Sequence, residues 1–361
     1  MTPRDRRARS RTLIPLLVAV LGIALGAGGI ALLHTFSLDS RSQLAATAAG
    51  HDARAVPRPL SEAGIRARIE PSVVNVTATL TYDDETASGT GFVIDRTGLI
   101  LTNNHVIAGA TDLTARSIAN GQTYPATVIG FDRQHDIAVL QLAGGGLPVA
   151  NIGNSDTVKV GDPVVSLGNA GGAGGAPSVE EGRIGALGQT VSANDALTGS
   201  TETLNGLIQV DANIRPGDSG GPTVNAANQV IGMNTAASQN FHLGRGQGFA
   251  IPINEAMAIA GQIRSGGSSA TVHIGPTAFL GVGVNDAPGG GGAIVRQVIP
   301  TGPAAGAGLS PGDVITSING QPVNSATALT NILDQHHPGD HVSVGLQGRT
   351  IDVTLGDGPP G

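Results

Sequence analysis

The sequence predicts a mainly β protein of more than one domain behind an N-terminal transmembrane helix, and three observations carry the β part. Short, apolar, β-branched runs recur after residue 70 with turn residues between them, the pattern of strands in a barrel or sandwich. Glycine supplies 55 and proline 21 of the 361 residues, enough to turn the chain between many short strands. The length suits two or three domains of roughly 100–200 residues each. Only 2% of the residues are aromatic, so the cores must be built from Val, Ile, Leu and Ala.

The helix is read from the first residues. Arg4, Arg6, Arg7, Arg9 and Arg11 precede an uncharged run at 13–33. That run matches the ~20 helical residues needed to cross a bilayer core. Arginines held in the cytoplasm place everything after Leu33 outside. The competing reading is a cleaved signal peptide, with an apolar core of roughly 7–15 residues and a small-x-small site close behind. Here the nearest such site, Ala46-Thr47-Ala48, lies well past the run. The expectation is therefore a cytoplasmic tail at 1–12, a single-pass signal anchor at 13–33 and an extracytoplasmic remainder, secreted if the segment is cut. Residues 34–60 are short of large apolar side chains and read as a flexible linker.

Beyond the linker the elements follow in order. Residues 61–70 suit a short helix, which Pro71 ends because the residue before proline disfavours helix. Strands are expected at 73–81, 91–95, 99–102, 126–131 and 137–142, and again at 163–167, 207–210, 229–233 and 248–253. Asn254 is placed to cap a helix reaching Ser265, with Ala256, Ile259, Ala260 and Ile263 on one face. These elements make a first domain at 61–265. Residues 266–276 read as a second linker. A last domain at 277–357 holds further strands, a helix near 325–335 and a strand near 350–355.

The net charge of −7 argues against a nucleic-acid partner, which requires a concentrated basic surface. The chain has no cysteine, which excludes disulfides, thiol catalysis and thiolate metal sites. Gly171-Gly172-Ala173-Gly174-Gly175 lacks the Lys and Ser/Thr of a phosphate loop. His336, His337 and His341, with Asp334 and Asp340, surround Pro338-Gly339 and read as a solvated turn. Neither a metal nor a cofactor is expected.

The most specific stretch is Gly217-Asp218-Ser219-Gly220-Gly221-Pro222. A serine hydroxyl is a weak nucleophile at neutral pH and needs a base to take its proton. The attacked carbonyl becomes an oxyanion, which needs donors fixed where its charge develops. Glycine before the serine lets the backbone turn so that the Gly217 and Ser219 amides can share one hole. A base and its orienter stand upstream: His105 follows the 99–102 strand and Asp136 opens the 137–142 strand. On that strand His135 would face the opposite side from Asp136. The order His, Asp, Ser is one of the known convergent triad orders.

These motifs resemble the HtrA (high-temperature-requirement) family of chymotrypsin-like serine proteases. Pro71-Ser72-Val73-Val74, Ser88-Gly89-Thr90-Gly91-Phe92, Gln209-Val210-Asp211-Ala212 and Gly248-Phe249-Ala250-Ile251-Pro252 extend the resemblance, which covers 67–357. It implies a double six-stranded β-barrel protease domain followed by an α+β PDZ domain. It also implies a serine endopeptidase acting on misfolded or specific envelope proteins. Ser219 would be the nucleophile, His105 the base, Asp136 its orienter, and the Gly217 and Ser219 amides the oxyanion hole. Two departures stand out. Asp218 replaces the asparagine common in the family, and Asn213 stands where trypsin-like enzymes carry a carboxylate at the base of the specificity pocket. Without that charge, and with Ile214, Ala236 and Ala237 near the pocket, small or medium apolar P1 side chains are expected.

In the last domain Phe279-Leu280-Gly281-Val282 resembles the carboxylate-binding loop of a PDZ domain, where a peptide C-terminus extends a strand. Ala326, Leu329, Ile332 and Leu333 are either groove wall or core, which helical period alone cannot separate. The resemblance further implies a homotrimer, and regulatory loops at 191–206 and 234–246. The alternative function is a non-proteolytic, PDZ-centred chaperone or scaffold.

Overall fold

The computed structural model describes residues 61–81, 85–194, 201–235 and 246–360. The membrane span expected at 13–33 and the linker at 34–60 lie outside these residues. Among the described residues no helix is long and apolar enough to cross a membrane.

The chain enters through α1 (Glu62–Arg68), where the Ser61 hydroxyl caps the helix by accepting the Gly64 N–H. Pro71 lies in the tight turn that ends it. Six strands follow: β1 (Val73–Leu80), β2 (Glu85–Asp95), β3 (Leu99–Thr102), β4 (Asp112–Ser117), β5 (Thr123–Asp132) and β6 (Ile137–Leu142). They pair in the order β5-β4-β1-β2-β3-β6, and β6 returns to pair β5, which closes the ring. The short α2 (Asn104–Ile107) interrupts it after β3. Six more strands form a second closed barrel, β10-β11-β12-β9-β8-β7. They are β7 (Pro163–Gly168), β8 (Ser178–Asn194), β9 (Thr201–Val210), β10 (Pro222–Asn225), β11 (Val230–Thr235) and β12 (Gly248–Pro252).

Two of these strands have weak sequence signals. β4 alternates exposed polar residues with buried Leu113, Ala115 and Ser117, so its period is right but its apolar content is low. β8 is interrupted by glycines and by register shifts against β9 between Ile184 and Val191. Within the segment expected as a regulatory loop at 191–206, residues 191–194 and 201–206 belong to this β8–β9 ribbon, paired out to Asn194 and Thr201. Most of the other expected loop, 236–245, lies outside the described residues.

α3 (Ile253–Arg264) buries Ile253, Ala256, Ala260 and Ile263. These lie on one helical face and pack with Phe92, Leu101, Val139, Leu167 and Met233 in a core shared by the two barrels. Each large aliphatic side chain buried there contributes about 1.5–3 kcal/mol. Asn254 is not the cap. It sits inside the first turn, where its side chain accepts the Ser155 N–H and donates to Asn154.

The stretch expected as a linker at 266–276 carries β13 (Val272–Ile274), which adds to β5 of the first barrel. The chain then builds β14 (Thr277–Phe279), β15 (Val282–Asp286), β16 (Ala293–Val298), α4 (Pro303–Gly306), β17 (Val314–Ile318) and β18 (Gln321–Pro322). It ends with α5 (Ala326–Leu333), β19 (His341–Leu346), β20 (Arg349–Thr354) and β21 (Gly356–Gly358). The order β15-β16-β17-β19-β20 makes the main sheet, and β14 pairs with β21, which runs one residue past the expected boundary at 357. Ser325 caps α5 by accepting the Ala328 N–H.

Candidate active site

The strand register brings His105 and Asp136 together. β3 and β6 are antiparallel neighbours with Thr102 opposite Ala138. Three residues past Thr102 and two before Ala138 therefore meet at the same end of the barrel. Nδ1 of His105 lies 3.0 and 2.9 Å from the two carboxylate oxygens of Asp136. The same carboxylate accepts the backbone N–H of His105 at 3.0 Å and the Thr235 hydroxyl at 3.1 Å. With Nδ1 committed to Asp136, Nε2 occupies the far edge of the ring. The imidazole is 39% exposed while the carboxylate is 6% exposed, so one face of the pair is wet and the other dry.

Asp136 is not on the strand as expected. Both it and His135 belong to the turn before β6, and Asp136 has φ +55°, a left-handed conformation that aspartate tolerates better than most residues. Its N–H closes the turn on the Arg133 carbonyl at 3.2 Å. His135 bonds backward to Asp132, with Nδ1 2.8 Å from a carboxylate oxygen.

Ser219 lies in the segment between β9 and β10 and is 4% exposed. Thr90 of β2 fastens this segment to the first barrel. Its N–H donates to the Ser219 carbonyl at 2.8 Å and its hydroxyl to the Gly217 carbonyl at 2.7 Å. Its own carbonyl accepts the Thr102 hydroxyl at 2.6 Å, at the end of the strand that leads to His105. Asn234 holds the other side, where its carbonyl accepts the Gly220 N–H at 2.9 Å. Gly217 and Gly220 take φ of +94° and +82°. A Cβ at either would fall 2.2 Å from the Asn169 carbonyl oxygen or 2.0 Å from that of Thr90. Only glycine fits there. The Pro216 carbonyl accepts the Gly171 N–H at 2.7 Å. Because a trans peptide points its C=O and N–H in opposite directions, the Gly217 N–H faces away from the 170–172 turn.

Asp218 is 2% exposed, and the Arg215 guanidinium acts on it only as a minor charge effect. Its carboxylate accepts the Ser178 hydroxyl at 2.8 Å and the Arg215 N–H at 2.9 Å, while the Arg215 guanidinium turns outward to Glu180. Burial pushes the Asp218 carboxyl above its ordinary value, and the bonds from Arg215 and Ser178 offset this in part. A raised folded-state pKa means that the folded chain holds this proton more tightly than the unfolded chain. The resulting stability loss is absent below the ordinary carboxyl value and grows as pH rises through the raised one. Asp218→Asn should therefore melt higher than the parent at neutral pH, and the gap should close as pH falls through the acid range. Thermal melts across pH check this.

The remaining expected residues are placed as follows. Asn213 is exposed and Ile214 is 8% exposed, packed with Val164, Ile184, Ile208 and Ile231. Ala236 and Ala237 lie outside the described residues. In the C-terminal domain Phe279 and Val282 are half-buried, Gly281 is buried, and Leu280 and Leu329 are each 2% exposed within the domain core. Burial thus favours the core reading for Leu329. Among the described residues no group of three His, Asp or Glu side chains is placed to hold a metal ion. The 334–340 segment is not simply a solvated turn, because Asp334 pairs with Arg133 and His337 stacks on His273 at 5.3 Å. The sequence reading gave no site role to Thr235, Thr90 or Asn234, although Thr90 lies inside the Ser88–Phe92 motif already singled out.

Both parts of the chain are similar to known proteins. Residues 89–233 match the model of the trypsin-like peptidase domain, and residues 278–354 match that of the PDZ domain. The serine protease PepD of Mycobacterium tuberculosis is 35% identical, over 99% of this chain and 81% of its own length. A probable periplasmic serine endoprotease, DegP-like, of Pseudomonas savastanoi pv. phaseolicola is 36% identical over 74% of this chain. The match spans 55% of that relative, so the chain corresponds to little more than half of it. Among solved structures, "HtrA-type protease AlgWS227A with tripeptide" superposes with a TM-score of 0.51 at 31% identity, covering 84% of this chain and 99% of the other.

Proposed function

This chain belongs to the HtrA family of trypsin-like serine proteases with a PDZ domain, and on that premise we propose how its residues cleave a peptide bond and where. The observation that carries the reading is the Asp136 carboxylate, buried and bonded to Nδ1 of His105. A carboxylate so placed holds the proton on Nδ1 and leaves Nε2 as a base. His105 takes the Ser219 proton as the hydroxyl attacks the scissile carbonyl, and stabilisation by Asp136 favours the imidazolium that forms. The amides of Gly217 and Ser219 receive the oxyanion. His105 then protonates the leaving amine, and water reverses the sequence on the acyl-enzyme. The Thr235 hydroxyl donates to the carboxylate oxygen nearest Nδ1 of His105 and so helps to fix the Asp136 carboxylate.

The substrates are misfolded or specific envelope proteins outside the cytoplasm, consistent with the periplasmic setting named for the DegP-like relatives. The arginine-flanked run at 13–33 anchors the chain in the membrane, and the working unit is a homotrimer. At the primary pocket Asn213 brings no charge and Ile214, with Ala236 and Ala237, favours small or medium apolar P1 side chains. The PDZ domain receives peptide C-termini at Phe279, Leu280, Gly281 and Val282, along the edge of β15, and so recruits substrate or raises activity.

Digestion of unfolded casein by the full chain in detergent tests the proposal. Cleavage mostly after small apolar residues, faster with added peptides that end in a free carboxylate, is the expected result. Cleavage mostly after Lys or Arg would overturn the pocket assignment. No cleavage under any condition, with peptide binding intact, would favour a PDZ-centred chaperone or scaffold.

A further inference from the structure

The turn that carries Asp136 is held inside the protease domain, where Asn103 donates to the Asp136 carbonyl at 3.0 Å, and also from outside the barrels. The Asp136 N–H donates to the Arg133 carbonyl, so the backbone of Arg133 opens the turn that delivers Asp136, which itself takes a left-handed φ. The Arg133 side chain reaches away from the barrel to α5 of the PDZ domain. There Nε and Nη2 donate to the Asp334 carboxylate at 3.2 and 3.0 Å in a two-pronged pair. The side chains are 13% and 17% exposed. A shielded, two-pronged arginine–carboxylate pair fixes geometry, whereas an exposed single contact fixes little.

Asp334 is itself held twice. Its N–H ends α5 on the Thr330 carbonyl at 2.9 Å, and its carbonyl lies 2.6 Å from Nδ1 of His273 in β13. His273 is 4% exposed and stacks on Phe131 of β5 with ring centres 5.1 Å apart. The other end of the Asp136 turn is tied to the same segment, because Thr271 donates to Asp132 at 2.9 Å. Beside the bonds that Asn103, His105 and Thr235 make to Asp136 inside the protease domain, the turn thus has side-chain ties to the segment that carries β13 and to the last turn of α5. A residue in left-handed backbone depends on such surroundings to stay there.

We propose that Asp334 of the PDZ domain, acting through Arg133, is a positioning residue for Asp136. The PDZ domain is then part of the catalytic framework even for a substrate too short to reach its groove. This inference rests on the triad assigned above.

The test measures kcat and KM of the full chain on a short chromogenic peptide with an apolar P1. It also records the downfield proton resonance of the His105–Asp136 hydrogen bond. The variants are Arg133→Gln, Asp334→Asn, both together, and the reversed pair Arg133→Asp with Asp334→Arg. Asp313→Asn, which breaks the exposed Arg349 pair within the PDZ domain, is the control. Each single variant should lower kcat about tenfold with KM nearly unchanged and should shift or broaden the resonance. The double variant should lose no more than either single one, because one link is being cut twice. The reversed pair should recover most of the loss, and Asp313→Asn should match the parent. Should Asp334→Asn fail to fold, Asp334→Glu keeps the charge while displacing it and should show a smaller fall in kcat. Parental kcat with an unmoved resonance in the folded single variants would overturn the proposal, as would losses that add in the double variant. Either result leaves parental activity and the Ser219→Ala loss intact. A parent inactive on the same peptide would instead overturn the triad assignment and this inference with it.

Discussion

Replacing Ser219 by alanine should lower kcat on a short apolar-P1 peptide by roughly 10⁵–10⁶-fold and leave the melting temperature near that of the parent. The two halves of that expectation have separate causes. The side chain supplies the attacking oxygen, and nothing else within the segment can replace it. The backbone of the segment is held independently, by Thr90 on the Ser219 and Gly217 carbonyls and by Asn234 on the Gly220 amide. Removing one oxygen breaks none of those bonds. Residual turnover should reflect the Gly217 and Ser219 amides and binding alone. Steady-state kinetics paired with thermal melts of both proteins check the outcome.

The second large effect is expected at Asp136. Asp136→Asn should cost about 10⁴-fold in kcat with little change in KM. An asparagine retains an oxygen for the His105 backbone N–H or the Thr235 hydroxyl, so the pocket can stay filled. Its amide, however, offers a donor where the carboxylate offered an acceptor. Nδ1 of His105 would then accept rather than donate, the ring proton would move to Nε2, and the base would be blocked. The loss should fall on kcat because the substrate touches His105 and not the residue behind it. A rise in KM matching the fall in kcat/KM would assign Asp136 to binding.

Much of this site was legible in the sequence because its parts are local. Ser219 stands among glycines that only a strained turn requires, and His105 and Asp136 each abut an apolar run whose period marks a strand. What the sequence could not supply was the depth behind them. Thr235 faces Asp136 through the pairing of distant strands, and Thr90 joins segments 127 residues apart. Polar residues inside strands carry no local mark of such duties. The β8 strand escaped notice because its register shifts break the two-residue alternation. The stretch between the domains read as a linker because Gly266, Gly267, Ser268 and Ser269 dominate its start, yet Val272–Ile274 adds a strand to the first barrel. The histidines at 336 and 337 read as solvent-facing for a similar reason. Their partners, Asp340 for one and His273 for the other, are set by the fold as well as by neighbouring residues.

The central claim, that Ser219 is the nucleophile activated by His105, is tested most directly by labelling. A fluorophosphonate should add once per chain, and fragment mass spectra should place the adduct on Ser219. Ser219→Ala should take up none, and His105→Ala should take it up far more slowly. Adduct on another serine, or undiminished casein cleavage by a chain that takes up no label, would contradict the assignment.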